Sequence, residues 1–151
     1  MPAELTIQSR FRGPPESANG GYCCGLLAAA LADEGVAEVT LRSPPPLERP
    51  MRLSAGAAEA ELRDRDTLVA TARSADPLDV RLPPPVALAA ARADASVRVL
   101  LLTGAPYPTC FVCGPLADEG LVISCGHVAG RDDVVAAPFE TAAWMAGDDG
   151  A

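Results

Sequence analysis

Apolar and polar residues alternate over several short stretches of this chain. The alternation predicts strands at residues 4–12, 36–42, 49–55, 57–63 and 67–73. Asp64-Arg65-Asp66, between the last two stretches, is typical of a hairpin turn. The spacing therefore predicts an antiparallel meander of three or four strands in the first half of the chain.

One segment between the strands is apolar on every side. It starts at Gly20-Gly21-Tyr22 and continues through cysteine, leucine and alanine to residue 32. A helix without a polar face has to be buried, so we expect a central buried helix. Ser17 or Asn19 is suited to cap its start, and Gly35 is suited to end it.

The second half of the chain is less regular. Residues 82–85 predict a hinge, residues 86–94 a short helix, and residues 120–128 and 134–139 two strands, while residues 97–102 fit either a strand or more helix. We divide the chain into a unit at residues 1–104 and a cysteine-containing loop with two strands at residues 105–151.

Composition excludes several classes of function. The net charge is −8 and all 12 basic residues are arginine without a visible cluster, so we expect no nucleic-acid or membrane partner. No uncharged run is long enough to span a bilayer, and the N-terminus lacks an export signal, which predicts a cytoplasmic protein. Five cysteines without such a signal do not indicate a disulfide framework.

Two motifs resemble a known family. The segment from Gly13 to Tyr22, followed by its small-residue helix, resembles the start of the first hotdog unit in acyl-CoA thioesterase-like proteins of the TesB type. The segment from Cys110 to Gly114, followed by residues 120–123, is similar to the entry of another hotdog unit in small bacterial thioesterases. The resemblance covers about residues 4–75 and 108–138 of this chain.

The resemblance implies an α+β hotdog fold, in which a curved antiparallel sheet wraps the central helix. It also implies hydrolysis or binding of an acyl-CoA-type thioester, in a homodimer and without a cofactor. Backbone N–H groups of Gly20, Gly21 and Tyr22 would polarise the thioester carbonyl, as in an oxyanion hole. Glu16, chosen by its location alone, would be the acid or base.

Asn19 and Arg12 are the expected substrate contacts. Two readings compete with catalysis at this place. The glycine pair also suits tight packing of a helix start against a strand, and Glu16 suits an exposed loop. The chain furthermore lacks a second Gly-Gly helix after Gly114. It would then be a truncated two-unit protein, a unit completed by a partner chain, or a non-catalytic acyl-binding or dimerisation module.

A second candidate site lies near the C-terminus. Cys110 and Cys113 form a CxxC pair, and Cys125 and His127 follow as Cys-x-His. These four residues are the ligand types of a tetrahedral Cys₃His zinc site, which predicts a zinc-stabilised interaction domain as an alternative. A plain structural role in a tight turn explains the CxxC pair equally well. No βαβ pattern surrounds the pair, which argues against a thioredoxin-type motif.

Overall fold

The structure is a computed structural model that describes residues 3–32, 35–93, 105–139, 141 and 145. Residues 97–102, which the sequence left between strand and helix, lie outside the described residues. The helices are α1 (Gly20–Ala28) and α2 (Leu88–Ala93), with a 3₁₀ helix at Ser9–Phe11. The strands are β1 (Ala3–Leu5), β2 (Val36–Leu41), β3 (Met51–Ala55), β4 (Glu59–Asp64), β5 (Thr67–Ala75), β6 (Gly126–Val128) and β7 (Arg131–Ala136).

The first five strands form one antiparallel sheet in the order β1-β3-β4-β5-β2. The predicted meander is confirmed, since β3, β4 and β5 are consecutive neighbours in this sheet. The hairpin turn between β4 and β5 is also confirmed, and Arg65 adopts a positive φ of 53° there, in the left-handed region. The strand β2 returns to pair with β5, with Thr40 opposite Thr71.

The core lies between one face of this sheet and α1. Cys23 and Leu27 from the helix and Leu62 from β4 are each fully buried. On β4 the residues that flank Leu62, Glu61 and Arg63, are only partly buried. Because side chains alternate along a strand, Leu62 faces the helix and the charged side chains of Glu61 and Arg63 lie on the opposite face.

The prediction of a hotdog fold is wrong for this structure. The described residues are mostly sheet, with two short helices and 14% helix in all, and they include no long central helix for a sheet to wrap. The helix α1 has nine residues and packs against β2, β4 and β5 on one side. Its other side is exposed at Gly21, Gly25 and Ala29. These residues carry so little apolar area that exposure costs little, which is why a helix without a polar face is not fully buried here.

The helix is also shorter than predicted, because it ends at Ala28 rather than at Gly35. Backbone bonds from Ala30 to Leu27 and from Leu31 to Ala28 replace the α-helical pattern with tighter turns. Three of its nine residues are glycine, which is a poor helix former. The tight turns bring Leu31 into the core.

Two predicted strands are shorter than expected. The first stops at Leu5, and the 3₁₀ turn after Gln8 carries Phe11 into the core. In the second half, the strand predicted at residues 120–128 is regular only in β6, which pairs with β7 in a separate two-stranded sheet. The short helix predicted at residues 86–94 is confirmed as α2, which packs near β6.

The segment that follows residue 105 packs on the first sheet's core. Phe111 is a member of the same buried cluster as Leu27 and Leu62, and Leu121 packs against that cluster. The N–H of Phe111 donates to the carbonyl of Arg12 at 2.8 Å. The division of the chain at residue 104 stays a prediction, but residues 110–121 share the core of the part before it.

We predict that Leu62→Ala lowers the free energy of unfolding by about 2–5 kcal/mol, because it opens a cavity in a fully buried site. Urea denaturation followed by circular dichroism measures the change. Leu78→Ala is the matched control, since Leu78 is 81% exposed and its truncation should change stability by less than about 0.5 kcal/mol. Equal losses in the two variants would contradict the core described above.

Candidate functional site

The start of α1 is closed by a side-chain cap. Asn19 is extended, and its Oδ1 accepts a hydrogen bond from the N–H of Tyr22 at 3.0 Å. The backbone N–H of Asn19 donates to the carbonyl of Phe11 at 2.7 Å. The capping role expected of Asn19 is therefore confirmed, and it fixes the helix start to the 3₁₀ turn that precedes it.

The two glycines after the cap play different roles. A Cβ on Gly20 would lie 2.9 Å from Cδ1 of Leu41, so this glycine packs closely against the end of a β2 side chain. Gly21 is exposed, and an added Cβ would meet only Oδ1 of Asn19, at 3.3 Å. Within the described residues neither glycine N–H makes a hydrogen bond. The N–H of Gly21 is thus an available donor at the positive end of the helix dipole.

Three aromatic rings meet beside this helix start. Phe11 stacks on Tyr22 with ring centroids 3.8 Å apart, and Phe111 meets Phe11 edge-on at 5.0 Å. The guanidinium of Arg10 lies 4.4 Å from the centre of the Phe11 ring and pairs with Glu119 at 2.7 Å. Phe11 and Phe111 are buried and Tyr22 is partly buried, so these rings form a packed aromatic cluster.

A cavity of about 460 Å³ lies against these rings. Two of its eight lining residues, Arg10 and Thr141, are polar. The other six are aromatic or apolar: Phe11, Tyr22, Phe111, Leu121, Phe139 and Met145. The size and apolar lining are those of a small-molecule site.

Of the six residues assigned from the sequence, Tyr22 alone is in the lining of this cavity. Glu16 is exposed in the loop before the helix and lines neither of the cavities found beside the helix start. Arg12 donates from Nε to the carbonyl of Ser9 at 2.9 Å and lines a separate cavity of about 520 Å³. Asn19, Gly20 and Gly21 adjoin Tyr22 at the helix start without lining the cavity.

Sequence reasoning missed that Cys110 belongs to this helix start. Nδ2 of Asn19 donates to Sγ of Cys110 at 3.7 Å. Burial raises the pKa of the Cys110 thiol, but hydrogen bonds from Cys113, from the N–H of Val112 and from Asn19 outweigh it and lower that pKa below its usual value. The cap residue therefore stabilises a helix with one side-chain atom and a thiolate with the other.

The turn that holds Cys110 depends on Gly114. Its N–H donates to the carbonyl of Cys110 at 2.7 Å, and a Cβ at this position would overlap the backbone of Cys110 and Pro108. Only glycine allows so close an approach. The sequence signal that indicates this turn is the glycine directly after the CxxC pair.

The four residues of the predicted zinc site do not form a metal site here. No group of three or more His, Cys, Asp and Glu side chains in the described residues is arranged to hold a metal ion. Cys113 and Cys125 are exposed, and His127 lies on β6. The CxxC pair and the Cys-x-His pair therefore remain two separate features of the structure.

Another cavity, of about 660 Å³, lies on the face of the sheet turned away from α1. Charged and hydroxyl side chains of β2, β4 and β5 line it, among them Thr40, Thr71 and Glu61. Its arginine Arg73 pairs with Glu38 at 2.8 Å. The lining of this trough contains three glutamates and two arginines, so its charges largely neutralise one another.

No family model matches the chain, and no match was found among curated proteins or solved structures. The thioesterase resemblance of the two motifs accordingly has no support outside the motifs themselves. A membrane-crossing helix would have to be longer and more apolar than any that the described residues form. Function has to be argued from the helix start, the aromatic cavity and the cysteine pair.

We predict that Asn19→Asp keeps the stability of the wild type, because aspartate caps a helix as well as asparagine does. The same change replaces the Nδ2 donor with a carboxylate beside Cys110, so the pKa of that thiol should rise. The rate of alkylation of Cys110, followed by peptide mass spectrometry across pH, should then show its inflection at higher pH.

Asn19→Ala is the control that removes both interactions, and it should lower the free energy of unfolding by about 1 kcal/mol. An alkylation profile of Cys110 that is identical in Asn19→Asp and the wild type would show that the asparagine does not act on the thiol.

Proposed function

We propose that this protein binds an acyl thioester of the acyl-CoA type at the start of α1. The acyl chain occupies the aromatic cavity, and the thioester carbonyl accepts a hydrogen bond from the N–H of Gly21. The observation that carries the proposal is the position of Tyr22, which is in the first turn of the helix and also lines the cavity.

The chemistry of the cavity supports an apolar ligand with one polar end. Its aromatic wall offers contact area to an acyl chain, which gains free energy by leaving water. The helix start beside it offers an N–H donor and the positive end of a dipole, which suit a polarised carbonyl oxygen. The resemblance of residues 13–22 to a thioesterase helix start points to the same ligand class.

Binding is favoured over hydrolysis by the lining of the cavity. Hydrolysis of a thioester needs a group that activates water or attacks the carbonyl. The lining residues include no Asp, Glu, His or Cys, and the carboxylate assigned from the sequence, Glu16, lies in an exposed loop outside the cavity. The non-catalytic acyl-binding module is therefore the form of the proposal that the geometry supports best.

We predict that isothermal titration calorimetry detects binding of octanoyl-CoA and much weaker binding of free CoA, since the cavity takes the acyl chain. Turnover is followed in the same samples by the loss of the thioester ultraviolet absorbance, which avoids thiol reagents that react with the cysteines. No turnover is expected. Equal affinity for CoA and octanoyl-CoA would contradict the assignment of the cavity.

The role of the Gly21 N–H is tested by Gly21→Pro, which removes that donor. Proline is tolerated in the first turn of a helix, where its N–H has no helical partner. The affinity for octanoyl-CoA should fall about 3- to 10-fold, the value of one hydrogen bond. Gly21→Ala, which adds a side chain and keeps the N–H, is the matched control, and an equal loss in both variants would argue against the hydrogen bond.

We infer a cytoplasmic homodimer as the working form. All five cysteines are free thiols, which fits a reducing compartment. In the described part of the chain, β2 is the last strand of its sheet and exposes Val36 and Leu41, so its outer edge suits pairing with a second copy. Sedimentation velocity should give a dimer that Val39→Pro, a change at the middle of β2, dissociates; a monomeric wild type would contradict the inference.

A further inference from the structure

The CxxC pair lies in one tight backbone turn. The carbonyl of Tyr107 accepts from the N–H of Cys110 at 3.0 Å, and the carbonyl of Cys110 accepts from the N–H of Gly114 at 2.7 Å. Residues 111–113 form the turn that the second bond closes. This backbone geometry brings Cys110 and Cys113 close together.

One of the two sulfurs is set up to carry a negative charge. Cys110 accepts hydrogen bonds from the backbone N–H groups of Val112 and Cys113 and from Nδ2 of Asn19. Partial desolvation, the hydrogen bond to Cys110 and the charge of Cys110 together raise the pKa of the Cys113 thiol. The two pKa shifts therefore favour ionisation of the buried Cys110 sulfur over that of the exposed Cys113 sulfur.

The remaining cysteines lack this arrangement. Burial raises the pKa of Cys23 to about 11, and burial also raises the pKa of Cys24, so both stay protonated. They are consecutive residues of a helix, whose side chains do not face each other. Cys125 is exposed and follows Cys113 by 12 positions in the chain, outside the CxxC turn. Thiol chemistry is consequently concentrated at Cys110 and Cys113.

A disulfide suits this pair better than a metal ion does. A structural zinc site needs four ligands, and the described residues provide no group of three or more. A disulfide needs only two sulfurs that can approach each other, and the turn closed by the Gly114 N–H places these two cysteines close together. Exposure of Cys113 gives a small reagent access to the pair.

We propose that Cys110 and Cys113 are a redox-active dithiol, which a small-molecule disulfide of the glutathione type oxidises to an intramolecular disulfide. The exposed Cys113 thiol loses its proton to water and attacks one sulfur of the reagent, which gives a mixed disulfide and releases one thiolate. The Cys110 thiolate then attacks the Cys113 sulfur, which closes the protein disulfide and releases the second thiolate. Two protein thiols are oxidised and one reagent disulfide is reduced to two thiols.

Oxidation reaches the helix start through Asn19. In the reduced pair, Nδ2 of Asn19 donates to a charged sulfur, and in the disulfide that sulfur is neutral. This hydrogen bond is weaker in the oxidised form. Asn19, which caps α1, is therefore bound to Cys110 more strongly in the reduced state than in the oxidised state. This part of the proposal does not depend on which ligand the neighbouring cavity binds.

The test equilibrates the wild-type protein in buffers of reduced and oxidised glutathione, quenches exchange with acid, and measures the intact mass after alkylation. We expect a species that is two hydrogen atoms lighter and carries no alkyl group on Cys110 and Cys113, with peptide mapping joining the two residues. It should revert fully in excess reduced glutathione.

Two variants complete the experiment. Cys110→Ser should stop at a glutathione adduct on Cys113, because the resolving sulfur is missing, and Cys125→Ser should behave as the wild type. A wild type that keeps both thiols across the whole series, or that carries glutathione on both without a joined peptide, would overturn the proposal. A stoichiometric metal ion released only by alkylating Cys110 and Cys113 would also overturn it, in favour of a metal site.

Discussion

The stacking of Phe11 between Tyr22 and Phe111 joins three segments that lie far apart in the chain. The chain has six aromatic residues, and three of them meet at this point. Each such ring pair contributes about 0.5–1.5 kcal/mol beyond the burial of its area. Backbone bonds from Asn19 to Phe11 and from Phe111 to Arg12 run beside the rings and fix the segments in register. The helix start, the cavity and the CxxC turn all take their positions from this junction.

Asn19 is the residue through which these parts act on one another. One side-chain atom of Asn19 completes the first turn of α1, and the other contacts the sulfur of Cys110. The start of α1 therefore has an available backbone donor at Gly21, a contact with the Cys110 sulfur through Asn19, and a residue of the cavity lining in Tyr22. We assign an acyl thioester to the aromatic cavity and the helix start, and a disulfide reagent to the cysteine pair.

Much of the sheet follows from local pattern. The alternation around Leu62 and the turn at Arg65 are short-range signals, and they predict β3, β4 and β5 with small errors at the ends. The cap at Asn19 is equally local. The length of α1 is not a local signal, because an uninterrupted apolar run does not show where packing makes the chain turn. The tight turns that bury Leu31 end the helix early. The hotdog prediction depended on that missing length.

The site was predicted only in part for a related reason. The cap and the glycines are neighbours in sequence, so their pattern was sufficient to find them. Asn19 and Cys110 are 91 positions apart, and one sequence does not show that a tertiary fold brings them into contact. Glu16 was assigned by its proximity in sequence alone, and its exposed position shows that such proximity does not place a side chain in a cavity.

The most direct test of the account is a ¹H–¹⁵N chemical-shift map of the protein titrated with octanoyl-CoA. We predict that the largest shifts fall on the amides of Gly21, Tyr22 and Phe111, where the helix start borders the aromatic cavity. Shifts confined to the outer sheet face, at Thr40, Glu61 and Thr71, would place the ligand in the polar trough and contradict the assignment.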